Sequence, residues 1–192
     1  MYALNVYELG ILDWMQGFKN PILDVIANAI SFLGEIGWFF IVIAVILLFF
    51  KKYRANGLIL GAALILNLII CNVILKNAVA RVRPYNMEEA MFVQGQLSDL
   101  AKKLTDFSFP SGHVSAAFAA ATALTYANKK WAIPAFALGV LMMFSRMYLY
   151  AHYPTDVIVG AIVGTISAMI CIFIYKKFIL PRLNKHAELK NN

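Results

Sequence analysis

Three short stretches of the 192-residue chain concentrate its reactive side chains: KNAVARVRP from Lys76 to Pro84, PSGH from Pro110 to His113, and SRMYLYAHYPTD from Ser145 to Asp156. They supply three fixed cations in Lys76, Arg83 and Arg146, two imidazoles in His113 and His152, and a carboxylate in Asp156. Such a set suits phosphoryl transfer without a metal, because cations and backbone N–H groups stabilise charge on the phosphoryl oxygens while histidines attack or move protons. His152 and Asp156 are four apart, with Pro154 suited to the first turn of a helix. The carboxylate can then accept from one ring nitrogen and leave the other free as a nucleophile. The same spacing also suits a structural His–Asp bond at a helix start. Ser111 and Gly112 open a helix whose exposed N–H groups and dipole favour an anion, although Pro-Ser-Gly also makes an ordinary helix-start turn. Lys76 and Arg83 can converge on one anion with the fork of Arg146, and their plain alternative is snorkelling at helix ends.

The elements that must position these groups are membrane helices. Hydrophobic residues make up 61% of the chain and charged residues only 14%, too little polar surface to coat a soluble domain of this length. Apolar runs predict an all-α integral membrane bundle of about five transmembrane helices, near 22–50, 57–75, 111–128, 132–150 and 156–176. Residues 1–20 predict an interfacial helix, with Leu4, Tyr7, Ile11, Trp14, Met15 and Phe18 at helical spacing, and no basic run marks a cleaved signal. A second short helix is expected in the outer loop through Leu97, Leu100, Ala101 and Leu104. The whole of 1–192 is read as one domain, with 76–156 carrying the reactive residues and 177–192 a tail.

Basic residues set the orientation. Ten of the 17 Lys and Arg residues fall in the 50s loop, the 128–131 loop and the tail, which places those segments in the cytoplasm. The N-terminus and all three reactive stretches are then expected on the extracytoplasmic face. A cytoplasmic collar of cations accounts for the net charge of +7, and no nucleic-acid partner is implied. Cys71 and Cys171 fall at depths about 15 Å apart by helical rise, which predicts two core fillers and no disulfide. Ala116, Ala117, Ala119, Ala120 and Ala121 predict close packing of the third span, so that a bulky residue at Ala117 or Ala120 is expected to spread the pocket.

The three stretches match, in order and spacing, the signature K-x6-RP, PSGH and SR-x5-H-x3-D. Lys76, Arg83 and Pro84, then Pro110, Ser111, Gly112 and His113, then Ser145, Arg146, His152 and Asp156 fill all eleven fixed positions. The chain thereby resembles the type 2 phosphatidic acid phosphatase superfamily of membrane lipid phosphatases, with fewer spans than its six-helix members. The resemblance implies that His152 attacks phosphorus to form a phosphohistidine while His113 protonates the departing oxygen. It further implies that Asp156 orients His152, that Lys76, Arg83, Arg146, Ser111 and Gly112 bind the phosphoryl oxygens, and that no metal or other cofactor is required. A lipid phosphate whose tail stays in the bilayer is the expected substrate. Undecaprenyl diphosphate ranks first, because small bacterial relatives often recycle it, ahead of phosphatidylglycerophosphate and phosphatidic acid. Vanadate-dependent haloperoxidases use a similar residue set but are typically larger and soluble. A transporter is the non-enzyme alternative, motivated by Glu35, Asn67 and Asn72 in apolar spans, which a Glu35–Asn67 hydrogen bond would also explain. A non-catalytic lipid-binding member is a third reading, against which the signature is complete.

Overall fold

In the computed structural model, residues 2–87 and 105–191 are described, and among them the chain is helical with no strand. The expected outer-loop helix around Leu97 to Leu104 lies outside the described residues. Helix α1 (Tyr2–Gln16) precedes α2 (Pro21–Gly34), whose start is fixed by Pro21 and by Asn20, where Oδ1 accepts from the N–H groups of Ile22 and Leu23 at 3.1 and 3.0 Å. Then follow α3 (Trp38–Phe49), α4 (Arg54–Asn67), a wider π-turn segment Leu68–Leu75, and the short α5 (Lys76–Val79). The bundle is completed by α6 (Gly112–Ala127), α7 (Ala132–Tyr148), α8 (Pro154–Ile174) and α9 (Leu180–Asn191).

Helix α6 is the axis of the bundle, packing along α8, α7 and α4, while α2 lies on α7 and α3 on α4. Its small side chains permit this: Val114, Ser115, Ala116, Ala117, Ala119, Ala120, Ala121 and Ala123 are all buried. The closest approach is to α8. A Cβ built on Gly160 would lie 2.8 Å from the Ser111 carbonyl oxygen, and one on Gly164 would lie 2.0 Å from that of Ser115. Outward faces carry Ile22, Val25, Phe49, Leu58, Ile162 and Phe173, exposed as lipid-facing side chains are.

Among the described residues, four segments, Pro21–Phe49, Arg54–Asn86, Lys129–Tyr148 and Pro154–Asn184, are by themselves long and apolar enough to span a bilayer. The third predicted span is the 16-residue α6, which is short of the roughly 20 residues a spanning helix needs. Because its neighbours sheathe it, packing and not lipid contact dictates its composition. The first predicted span is also two helices: Glu35–Gly37 forms a single tight turn with Ile36 at φ 54° and Gly37 at φ 73°. Glu35 stands exposed in that turn, and Asn67 Nδ2 donates instead to Ser115 Oγ at 3.0 Å, so the expected Glu35–Asn67 bond does not form. Cys71 and Cys171 are both free thiols, as depth required.

The amphipathicity of α1 is inverted relative to a soluble helix. Tyr7, Ile11 and Trp14 are exposed, as is Phe18 just beyond the helix, whereas Leu9, Leu12 and the polar Asn5 and Glu8 are buried against the rest of the chain. Tyr150 and Tyr153 complete that small core with Leu9 and Leu12.

Candidate active site

The reactive residues arrive from four places and meet at one end of the bundle. Lys76 opens α5, and Arg83 sits in the extended backbone just before Pro84. Ser111 precedes α6, His113 lies in its first turn, and Arg146 lies in the last turn of α7. His152 hangs in the short connection between α7 and α8, and Asp156 is in the first turn of α8. Each is buried except Gly112 and His113, which are half-buried. A polar cluster of this size is tolerable in a membrane protein only where its members satisfy one another or line a cavity.

His152 is the centre of the arrangement. Its Nδ1 is 3.4 Å from Asp156 Oδ2 without hydrogen-bond geometry, so among the described residues Nδ1 makes no hydrogen bond and Asp156 is its nearest anionic neighbour. Its Nε2 is 3.3 Å from Arg83 Nη1, which can only donate. Nε2 therefore presents its lone pair and Nδ1 carries the proton, the tautomer in which a carboxylate holds the ring from behind. Burial, then the cationic charges of Arg83 and Arg146, hold the imidazole well below its usual value, so His152 is neutral at physiological pH. His113 lies within electrostatic reach of His152, Arg146 and Arg83. Its ring rests against Gly34, where a Cβ would come within 2.8 Å of Cδ2, so a glycine at the end of α2 makes room for this histidine.

The cations surround the same space. Arg83 Nε donates to the Asp106 carbonyl oxygen at 2.8 Å and Nη2 to the Asp106 carboxylate at 2.5 Å, while Nη1 also reaches the Ala151 carbonyl at 2.9 Å. Lys76 pairs with the other oxygen of Asp106. Burial alone would raise the Asp106 carboxyl, but hydrogen bonds and charge from Lys76 and Arg83 hold it at about 2. Arg146 donates one Nη to Ser31 Oγ, and among the described residues its buried Nε and Nη2 meet no hydrogen-bond partner, nor does the buried Ser111 Oγ. Unmet donors on a buried guanidinium are costly, and they mark where an anion's oxygens would be received.

Behind Asp156 stands a group of residues that spacing did not single out. Arg81 Nη1 donates to Asp156 Oδ1 at 2.6 Å, Ser108 Oγ donates to Oδ2, and the Tyr153 N–H donates to Oδ2 at 3.0 Å. Arg81 in turn pairs with Glu8 and donates through Nε to Asn5 Oδ1 at 2.9 Å, both on α1. The only sequence signal for Arg81 was a third cation beside Arg83 in an apolar setting. Among the described residues, no group of three or more His, Cys, Asp or Glu side chains is placed to hold a metal.

A bundle of apolar helices with a histidine and an aspartate side by side and three cations gathered at one end defines a multi-pass membrane protein with a buried, cation-rich polar site. Residues 56–180 match the PAP2 superfamily, and the chain belongs to it. Over 137 residues it is 31% identical to an undecaprenyl-diphosphatase of Sulfolobus acidocaldarius, covering 70% of this chain and 63% of that one, less than two thirds of the relative's length. Over 190 residues it is 26% identical to a lipid A 4′-phosphatase of Porphyromonas gingivalis, covering 94% of this chain and 76% of that one. Its fold is that of the transmembrane PAP2 type phosphatidylglycerolphosphate phosphatase from Bacillus subtilis, with a TM-score of 0.73 at 23% identity, over 93% of this chain and 89% of that one.

Proposed function

We propose that this protein hydrolyses a lipid phosphate or diphosphate at the extracytoplasmic membrane face, with undecaprenyl diphosphate, converted to undecaprenyl phosphate, as its first-ranked substrate. The observation that carries the reading is the placement of His152, with Nδ1 3.4 Å from Asp156 Oδ2 and Nε2 3.3 Å from Arg83 Nη1. In this reading Nε2 attacks phosphorus in line and the bond to the leaving oxygen breaks. His113 donates a proton to that oxygen. Water then attacks the phosphohistidine, giving a proton back to His113, and the P–N bond breaks to release phosphate. Asp156 stabilises the ring as it gains charge. Lys76, Arg83 and Arg146, with Ser111 and the Gly112 N–H, stabilise the equatorial oxygens. The chemistry asks for no metal.

A phosphate monoester on a glycolipid or glycerolipid is the second reading, favoured because the match to the lipid A 4′-phosphatase runs along nearly the whole chain. Phosphate release by purified protein with EDTA present, from undecaprenyl diphosphate, phosphatidic acid, phosphatidylglycerophosphate and lipid A, separates these readings by rank. His152→Ala is expected to abolish release from each. Release that persists in His152→Ala would remove the mechanism, and ion-dependent flux without release would favour transport.

A further inference from the structure

Helix α1 reaches the catalytic carboxylate through two side chains that are almost completely removed from water. Glu8 is 2% exposed, Arg81 3% and Asp156 0%, so their charges act on one another without solvent screening. Glu8 Oε1 accepts from the Thr155 N–H at 2.7 Å, and Oε2 accepts from Thr155 Oγ1 at 3.0 Å and from Arg81. Arg81 Nη1 bridges Thr155 Oγ1 at 2.7 Å and Asp156 Oδ1 at 2.6 Å, and its guanidinium carbon stacks 3.8 Å from the centre of the Tyr153 ring. A buried cation beside Asp156 would, alone, draw the carboxylate's charge away from His152. A second buried carboxylate on the far side of that cation cancels the pull while leaving the hydrogen bonds that aim Asp156 intact. Breaking such a pair by removing one member leaves an uncompensated buried charge.

We infer that Glu8 and Arg81 are a positioning pair for Asp156, in which α1 neutralises the Arg81 guanidinium so that Arg81 aligns the carboxylate toward His152 without quenching it. The pair touches no substrate and acts through Asp156, so its effect is on turnover and not on binding. The inference rests on the phosphatase reading above.

The charge environment makes the test directional. His152 is faced by Arg83, Arg146, Lys76, Asp106, His113 and Asp156, and Asp156 by Arg81, Ser108 and the Tyr153 N–H. Arg81 is faced by Glu8, Asn5, Thr155 and the Tyr153 ring. The experiment is kcat/KM against pH, on the lipid substrate that the purified wild-type protein turns over fastest among the four above. Glu8→Gln keeps the acceptor for the Thr155 N–H and leaves Arg81 unbalanced, so the acid limb moves to lower pH. Arg81→Gln leaves Glu8 unbalanced and moves the limb to higher pH. The double variant returns it toward wild type, and Asn5→Asp, which keeps Glu8 and Arg81 and replaces the amide that accepts from Arg81 Nε by a carboxylate, moves it to higher pH. In each single variant kcat falls about tenfold, the effect of losing roughly 1.4 kcal/mol of transition-state stabilisation, while KM stays within about twofold. Limbs that do not move, or that move together in Glu8→Gln and Asn5→Asp, would overturn the pair as an electrostatic device even where activity is lost. Absence of release from folded wild-type protein would instead bring down the phosphatase reading and this inference with it.

Discussion

Asp106 holds the two cations that a phosphoryl group would need. Its side chain is 48% exposed, so it can leave, but in this state it bridges Lys76 and Arg83 as a substrate's oxygens would. Asp106→Asn is therefore expected to tighten inhibition by orthovanadate severalfold, read from inhibition of phosphate release; weaker inhibition would show that Asp106 builds the pocket rather than occupying it. The pH dependence follows from the depressed carboxyl. A group held at about 2 against an ordinary 3.8 contributes its ion pairs fully above 3.8 and loses them as pH falls from there through about 2. The bridge thus stays intact across the physiological range. Asp106 could not be found in the sequence, because it is one of four acids between Tyr85 and Phe109, with Glu88, Glu89 and Asp99, and no interval singles it out. His152, Asp156, Arg83 and Arg146 stand out as charged or titratable groups at set intervals in an apolar chain, although Arg83 lies in extended backbone and His152 in a connection rather than on helix faces. Glu8 was hidden for the opposite reason: a glutamate on an interfacial helix reads as a solvated face, and only the three-dimensional path of α1 turns it inward.

Helix α6 has two unlike flanks, and the sequence showed only their common composition. Toward α8 the backbones nearly touch at Gly160 and Gly164. On the other side, Ala117, Ala120 and Ala121 border an apolar cavity of about 230 Å³ with Phe40 of α3 and Leu138 of α7. Alanine count alone predicted tight packing all round, yet packing is tight where glycine occurs on the partner helix. Gly164→Ala must push α6 off α8 and is expected to cost on the order of 1–3 kcal/mol or to prevent folding. Ala120→Leu has space to enter and is expected to cost less. Thermal unfolding of the two variants in detergent orders them, and a larger loss for Ala120→Leu would show the cavity to be too rigid to accept the side chain. The break at Glu35–Gly37 was invisible to hydropathy, because apolar residues on both sides carry the same signal through a turn as through a helix. Gly34 and Gly37 were the available clue.

The proposed orientation of the molecule rests on its cations, since the apolar spans are alike on both faces. With Lys129 and Lys130 cytoplasmic and α1 outside, a membrane-impermeant maleimide applied to intact cells should label Lys19→Cys and spare Lys130→Cys. The native thiols give little background, since Cys71 is fully buried and Cys171 half-buried. Labelling of Lys130→Cys alone would invert the topology and put the site in the cytoplasm. The bonds that close the site also join segments far apart along the chain. Glu8 meets Thr155 across 147 residues, Gln16 Nε2 donates to the Tyr148 carbonyl across 132, and Ser145 Oγ donates to Ala27 across 118. Loops of that length must close before any of these contacts is rewarded. Helix α1 must then wait for the beginning of α8 to be made before Glu8 can find Thr155. A site wired in this way stays incomplete until α1 has met the start of α8.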